Sequence, residues 1–188
     1  MAVKTFDAKT YLLLAFIVVI SAVRTYLSMD ETMFGLSNFS PIGAMAIFGG
    51  AYFKKTWKAF CFPLLALLLS DAVLQLTVFK SSGFLYGGWY YVYTAFVLMV
   101  LVGRLLKHIE PLDVFLAAVA VTMIHWLVTD FGVWYGSHTI PQTASGYIQC
   151  LDLAIPFEVR FLTGTLVYSA VLFIGFELLS RRLQTSSL

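Results

Sequence analysis

The chain has 188 residues, of which 60% are hydrophobic and 12% are charged, and its mean hydropathy is +0.87. This composition excludes an ordinary soluble globular protein. The net charge of +2, without a basic tract, excludes nucleic acid as a partner. We therefore expect an all-α integral membrane protein in which residues 1–188 form a single bundle surrounded by the lipid bilayer.

Apolar runs of roughly 20 residues are typical of transmembrane helices. With short connections the chain has room for about six of them. The long connection over 136–157 is predicted as a loop, with room for a short interfacial helix at 147–154. In chain order, the predicted helices span about 11–28, 42–57, 59–79, 89–106, 114–135 and 159–179.

The second predicted helix is rich in small residues. Ser40 and Pro41 mark its start, because a serine hydroxyl can accept a hydrogen bond from an orphan amide and proline needs no donor there. Small residues let neighbouring helices approach until their backbones nearly touch. The sequence therefore predicts that this is the central packing helix. Its small residues are Gly43, Ala44, Ala46, Gly49, Gly50 and Ala51.

The distribution of positive charge predicts the orientation. With six spans and both termini in the cytoplasm, nine of the twelve Lys and Arg residues lie on the cytoplasmic side, as the positive-inside rule requires. Acidic residues gather on the other side, so we expect a functional site at the extracytoplasmic face. The nine cations are Lys4, Lys9, Lys54, Lys55, Lys58, Arg104, Lys107, Arg181 and Arg182.

Six ionisable residues are predicted in the outer half of the bundle, well inside the helices or at their outer ends. A charge near the bilayer centre costs roughly 2.5 to 3.5 kcal/mol, so these side chains must face the interior of the bundle. At about 1.5 Å per residue, all of them are expected in its outer half. They are Arg24, Asp71, His125, Asp130, Glu158 and Arg160.

Two interpretations of these charges stay open. In the structural one, Arg24 pairs with Asp71, or with Asp130, as an ion pair that holds the bundle together. In the functional one, they form the polar floor of a ligand pocket. His125 alone is either a core histidine or a ligand or proton-relay residue.

The aromatic run from Trp89 to Tyr93, and Trp134 on the fifth predicted helix, also have two interpretations. Tryptophan and tyrosine favour the headgroup layer, which indicates an interfacial belt. The alternative is a stacking wall for a planar ligand, in which Gly87 and Gly88 let a lid bend.

No catalytic motif is present, since the sequence lacks H-E-x-x-H, G-x-S-x-G and a glycine-rich phosphate loop. His125 and Asp130 are five positions apart, about 140° around a helix, which is unfavourable for an acid–base pair. Cys61 and Cys150 are predicted near opposite membrane faces and have no metal-type spacing. We expect neither enzymatic activity nor a cofactor.

Four segments carry a resemblance to a known family: Asn38–Phe53, Pro63–Asp71, Thr129–Trp134 and Ala154–Phe157. Together they resemble an uncharacterised bacterial family of small membrane proteins. That family is in turn similar to the S-components, the substrate-binding subunits of energy-coupling-factor (ECF) vitamin transporters. The resemblance implies a multi-pass protein of the bacterial cytoplasmic membrane that takes a vitamin-like nutrient from outside, beneath the loops after helices 1, 3 and 5.

The resemblance also bears on partners. S-components usually carry an Ala-x-x-x-Ala face on helix 1 for the energising module, whereas this helix has Ala15 and Ala22 without that spacing. Docking to an ECF energising module and a solitary mode, as in some cobalamin carriers, are therefore both open. If the nutrient is cobalamin, the resemblance implies Cys150 as a cobalt ligand.

The leading hypothesis is an S-component-like transport protein that binds a small, planar or cyclic nutrient. One alternative is a non-catalytic accessory subunit of a larger membrane complex, with the small-residue helix as its docking face. Another is an ion- or proton-coupled carrier that uses Asp71 and His125. The predicted substrate-binding residues are Asn38, Asp71, Tyr86, Trp89, Tyr90, Tyr93, His125, Asp130, Trp134 and Arg160.

Overall fold

The protein is entirely helical wherever it has regular structure, over residues 8–29, 38–77, 79–80 and 83–185, which the computed structural model describes. Three helices, α3, α5 and α6, have the length and apolar composition of membrane spans. The prediction of an all-α membrane protein is confirmed to this extent. The helices are α1 (Ala8–Met29), α2 (Ile42–Tyr52), α3 (Thr56–Thr77), α4 (Trp89–Leu105), α5 (Pro111–Gly136) and α6 (Ala144–Thr185).

The largest difference from the predicted elements is at α6, which begins at Ala144 and takes in most of the predicted 136–157 loop. Thr143 starts this helix, because its hydroxyl accepts from the Gly146 amide at 3.2 Å and its carbonyl from the Tyr147 amide at 3.0 Å. Gly146 does not break the helix. It is needed because a Cβ there would collide with the Pro141 carbonyl oxygen. Pro156 also stays inside the helix.

The predicted second helix is shorter than expected. It ends at Tyr52 instead of near Trp57, which belongs to the first turn of α3. Arg104 of α4 stabilises the connection between the two helices, since its guanidinium donates to the Phe53 carbonyl at 2.8 Å and lies 3.5 Å from the Thr56 hydroxyl.

Helix α2 is the centre of the bundle, as its small residues predict. Every residue from Ile42 to Gly50 is buried, and the helix packs against each of the other five. A Cβ at Gly50 would collide with the Val100 carbonyl oxygen, and one at Gly103 would lie 2.5 Å from the Ile47 carbonyl oxygen. Helices α2 and α4 are therefore in backbone-to-backbone contact.

The segment 38–41 precedes α2 and packs against α6. A Cβ at Gly164 would lie 2.9 Å from the Ser40 amide nitrogen, and the Phe39 ring lies 5.5 Å from that of Tyr168. The Ser40 hydroxyl accepts from the Ile42 amide at 3.4 Å, at the predicted start of the helix. Helix α6 thus covers part of this irregular backbone, in which residues 38–40 are half-buried and Pro41 is buried.

Small residues of α2 contact other helices of the same chain. Gly43 faces Thr165 of α6, Gly49 faces the Pro63 ring of α3, and Gly50 faces the backbone of α4. These three glycines are therefore already covered by neighbouring helices of the same chain, and a docking face for another subunit on this helix stays a prediction.

Candidate functional site

Asp71 lies deep between α3 and α4. Its side chain is 2% exposed, and the Tyr93 hydroxyl donates to its Oδ2 atom at 3.0 Å. Tyr93 in turn packs edge-on against Trp89 at 5.5 Å between ring centroids. The Arg24 side chain lies outside the described part of the structure, so the Arg24–Asp71 ion pair stays a prediction.

His125 and Glu158 form a second polar cluster, between α5 and α6. The Nδ1 atom of His125 lies 2.9 Å and 3.1 Å from the two carboxylate oxygens of Glu158. The two side chains are only 14% and 7% exposed. The imidazole also stacks on Phe161, at 4.0 Å between centroids and 13° between planes. Asp130 is close enough to interact electrostatically with both members of the pair.

The predicted charges therefore divide between at least two places. Asp71 pairs across α3 and α4, whereas His125, Glu158 and Asp130 lie between α5 and α6. Arg160 is on the latter helix too, but its guanidinium lies over the Phe157 ring at 5.5 Å. The structure does not bring these residues into one common pocket floor.

The end of α5 and the start of α6 form an antiparallel hairpin held by side-chain hydrogen bonds to backbone carbonyls. The Trp134 indole donates to the Pro141 carbonyl at 2.9 Å, and the Trp126 indole donates to the Leu151 carbonyl at 3.1 Å. Trp134 thus has a structural role in this turn.

Cys150 is part of the same hairpin. It is 4% exposed, and its thiol lies 3.6 Å from the Asp130 carbonyl oxygen. A thiol buried in this way is poorly placed to reach the cobalt of a large ligand. Among the described residues, no group of three or more His, Cys, Asp or Glu side chains could hold a metal ion.

A groove of about 320 Å³ opens where α4 begins and α5 ends. We call it the glycine–tyrosine groove. Gly132 lets the Tyr91 ring pack directly on α5, because a Cβ there would collide with that ring. Four glycines and three tyrosines lie around the groove. Its lining consists of Gly87, Gly88, Tyr90, Tyr91, Gly132, Val133, Tyr135 and Gly136.

Tyr90 is the one residue of the predicted binding set that lines this groove. Asn38 and Tyr86 are half-buried next to helix starts, and their carbonyls accept from the Ser40 amide at 2.9 Å and the Trp89 amide at 3.2 Å. Trp89, Tyr93 and Trp134 pack against other parts of the protein. Their roles in binding stay predictions.

Sequence reasoning considered Tyr91 and Tyr135 as part of an aromatic wall, but missed the glycines of α5. The available signal was the spacing of Gly132 and Gly136, which places two small residues on one face of a helix. Glycines on the facing side of α5 leave room for the aromatic rings from the start of α4.

A protein-family model described as a family of unknown function (DUF6580) matches residues 4–186. No curated protein and no solved structure gives a significant match. The family match covers nearly the whole chain, including all six helices. The chain therefore belongs to this family, DUF6580.

Proposed function

We propose that this chain is a multi-pass protein of the bacterial cytoplasmic membrane that binds a small, flat nutrient at its extracytoplasmic end, in the manner of an ECF S-component. The observation that carries the proposal is the glycine–tyrosine groove. Ligand sites in proteins are typically concave, lined by aromatic side chains and supplied with a few polar groups.

The groove suits a ligand of limited size. Its volume of about 320 Å³ is at the small end of the range for ligand sites. Tyr90 and Tyr91, whose ring centroids are 4.5 Å apart, can cover the face of a ring. The peptide groups of the exposed Gly87 and Gly136 can bond to its polar edge. A cobalamin is much larger than this groove, so the proposed nutrient is a vitamin-like single ring system.

Six crossings with both termini in the cytoplasm fit the arrangement of the helices. Helix α2 has 11 residues and spans only about 16 Å, but the preceding segment 38–41 can complete its crossing. Lys54, Lys55 and Lys58 then lie at the cytoplasmic interface, as the positive-inside rule favours. The glycine–tyrosine groove lies at the other end, where nutrient arrives.

We expect a planar-ring vitamin, from a panel of riboflavin, thiamine, pyridoxal and nicotinate, to raise the melting temperature of the purified protein. Replacing Tyr90 and Tyr135 together by alanine should weaken its binding about five- to a hundredfold, since each aromatic contact contributes roughly 0.5 to 1.5 kcal/mol. Isothermal titration in detergent measures this change.

The matched control is Tyr26→Ala, which removes a tyrosine that is 76% exposed on α1 and outside the groove. Its affinity should equal that of the unmodified protein. The proposal fails if no panel member shifts the melting temperature and mass spectrometry finds no small molecule in extracts of the purified protein.

The His125–Glu158 pair favours a second candidate, a proton-coupled carrier of the same kind of nutrient. Ionisable side chains inside membrane segments often serve proton or ion transfer, because their burial is otherwise costly. An imidazole and a carboxylate at 2.9 Å can share or exchange a proton. This candidate rests on that pair, because Asp71 pairs with Tyr93 elsewhere.

A proton-coupled carrier should acidify the interior of proteoliposomes when one of the four panel vitamins is added outside, as reported by trapped pyranine. Glu158→Gln should abolish this flux because the amide cannot accept the proton. Asp152→Asn, which alters an exposed acid on the same helix, should leave the flux unchanged. Equal fluxes in the two variants would remove this candidate.

A further inference from the structure

A second cavity, of about 430 Å³, lies at the opposite end of the bundle from the glycine–tyrosine groove. It is enclosed by the start of α1, the connection from α2 to α3 and the last turns of α6. We call it the basic cavity, because its rim carries Lys54, Lys55, Lys58 and Arg181. Nothing in the proposed nutrient-binding function accounts for it.

The polar groups of the basic cavity are suited to an anion. Among the described residues, the lining has four cations and one carboxylate, Glu177, whose Oε1 atom lies 3.4 Å from the Arg181 guanidinium. The Lys58 ammonium donates to the Thr10 hydroxyl at 3.4 Å. A cluster of Lys and Arg is the chemistry that binds a phosphate group.

The floor of the basic cavity is apolar. Leu13, Phe53 and Phe176 line it and are each less than 5% exposed. A ligand that fits both parts has a phosphate at one end and hydrocarbon at the other. A free phosphate would satisfy the rim and leave the floor without a partner.

Neighbouring aromatic side chains place the basic cavity at the level of lipid headgroups. Trp57 is 54% exposed, and its ring lies 6.0 Å from the Lys58 ammonium. Tyr11 is 53% exposed at the start of α1. Exposed tryptophan and tyrosine at the ends of apolar helices favour the membrane interface.

We infer that the basic cavity binds the phosphate of an anionic phospholipid, with the first part of an acyl chain on the apolar floor. Basic pockets between membrane helices on the cytoplasmic side bind lipid headgroups in this way. The site is separate from the glycine–tyrosine groove, so the lipid-binding proposal and the nutrient-binding proposal can each be overturned without the other.

The test is a titration of the full-length protein in detergent with phosphatidylglycerol or phosphatidylcholine, followed by native mass spectrometry. We expect phosphatidylglycerol to bind selectively, and Lys58→Gln/Arg181→Gln to weaken it about ten- to thirtyfold. The matched control, Lys80→Gln/Lys107→Gln, removes two exposed cations outside the cavity and should change binding less than twofold.

A gain-of-binding variant provides a second readout. Glu177→Gln removes the one carboxylate among the described residues that line the cavity and should strengthen phosphatidylglycerol binding a few-fold. If the two double variants lose the same amount of phosphatidylglycerol affinity, the effect is one of general charge and the proposal is overturned. Displacement of the lipid by millimolar inorganic phosphate would overturn it too, because the ligand would then be a soluble anion.

Discussion

Replacing Gly50 or Gly103 by alanine is expected to prevent α2 and α4 from packing together. The added Cβ at either glycine would meet backbone atoms of the other helix: the Val100 carbonyl oxygen for Gly50, and the Ile47 carbonyl oxygen, at 2.5 Å, for Gly103. A backbone carbonyl cannot turn aside as a flexible side chain can, so the two helices must separate. We expect a cost of about 3 kcal/mol, at the upper end for overpacked cores.

The measurement is the melting temperature in detergent, together with the fraction of protein that elutes as a single species. Gly87→Ala is the control, because no atom lies within 4 Å of a Cβ at that position. Gly49→Ala should lower the melting temperature less than Gly50→Ala, since the nearest neighbour of a Cβ at Gly49 is the Pro63 ring. Equal melting temperatures for the Gly50 and Gly87 variants would contradict the expected backbone contact.

Removal of either member of the His125–Glu158 pair should destabilise the protein strongly. His125→Leu leaves a carboxyl group that is 7% exposed without its imidazole partner. Breaking a buried ion pair costs about 3 to 5 kcal/mol, and breaking a buried neutral hydrogen bond costs about 1 to 3 kcal/mol. The loss should be visible as a lower midpoint in denaturant titrations of the protein in detergent.

The double variant His125→Leu/Glu158→Leu separates this explanation from a general loss of packing. Because both polar groups are replaced, no buried polar group is left without its partner. The double variant should therefore be more stable than either single variant. Asp152→Leu, at an exposed acid on the same helix, should change the midpoint little. A double variant that is less stable than both single variants would show that the pair is not the source of the effect.

The central position of α2 could be predicted because its signal is local. Ser40 and Pro41 mark a helix start, and the small residues that follow permit close contacts. The partners of those residues were not predictable in the same way. That Gly49 faces Pro63 while Gly50 faces Val100 depends on the positions of helices far apart in sequence.

The extent of α6 shows where local signals mislead. Gly146 and Pro156 are usual marks of a loop, and they favoured one over 136–157. In the structure, Gly146 gives the close turn that the helix start needs, and Tyr147 bonds to the Leu127 carbonyl at 2.8 Å. Contacts with α5 thus accompany a continuous helix, where the sequence alone indicated only room for a short one at 147–154.

Asp71, His125 and Glu158 are largely buried, as expected of polar residues in these helices, but their pairing was not predictable. Burial of Asp71 and near-burial of His125 agree with the cost of placing a charge in lipid. The partner of His125, Glu158, is 33 positions away on another helix, so the pairing depends on how α5 and α6 pack. The glycine–tyrosine groove likewise depends on how α4 and α5 are rotated about their axes.

The 11-residue length of α2 has a consequence for biogenesis. If α2 crosses the bilayer, as in the proposed six-span arrangement, a segment this short is not inserted on its own hydrophobicity and enters together with another segment. The peptide groups of 38–41 are shielded by Gly164, which the ribosome makes long after them. Assembly is therefore complete only when the C-terminal helix has been synthesised, and chains truncated before Gly164 should be substrates for quality-control proteases.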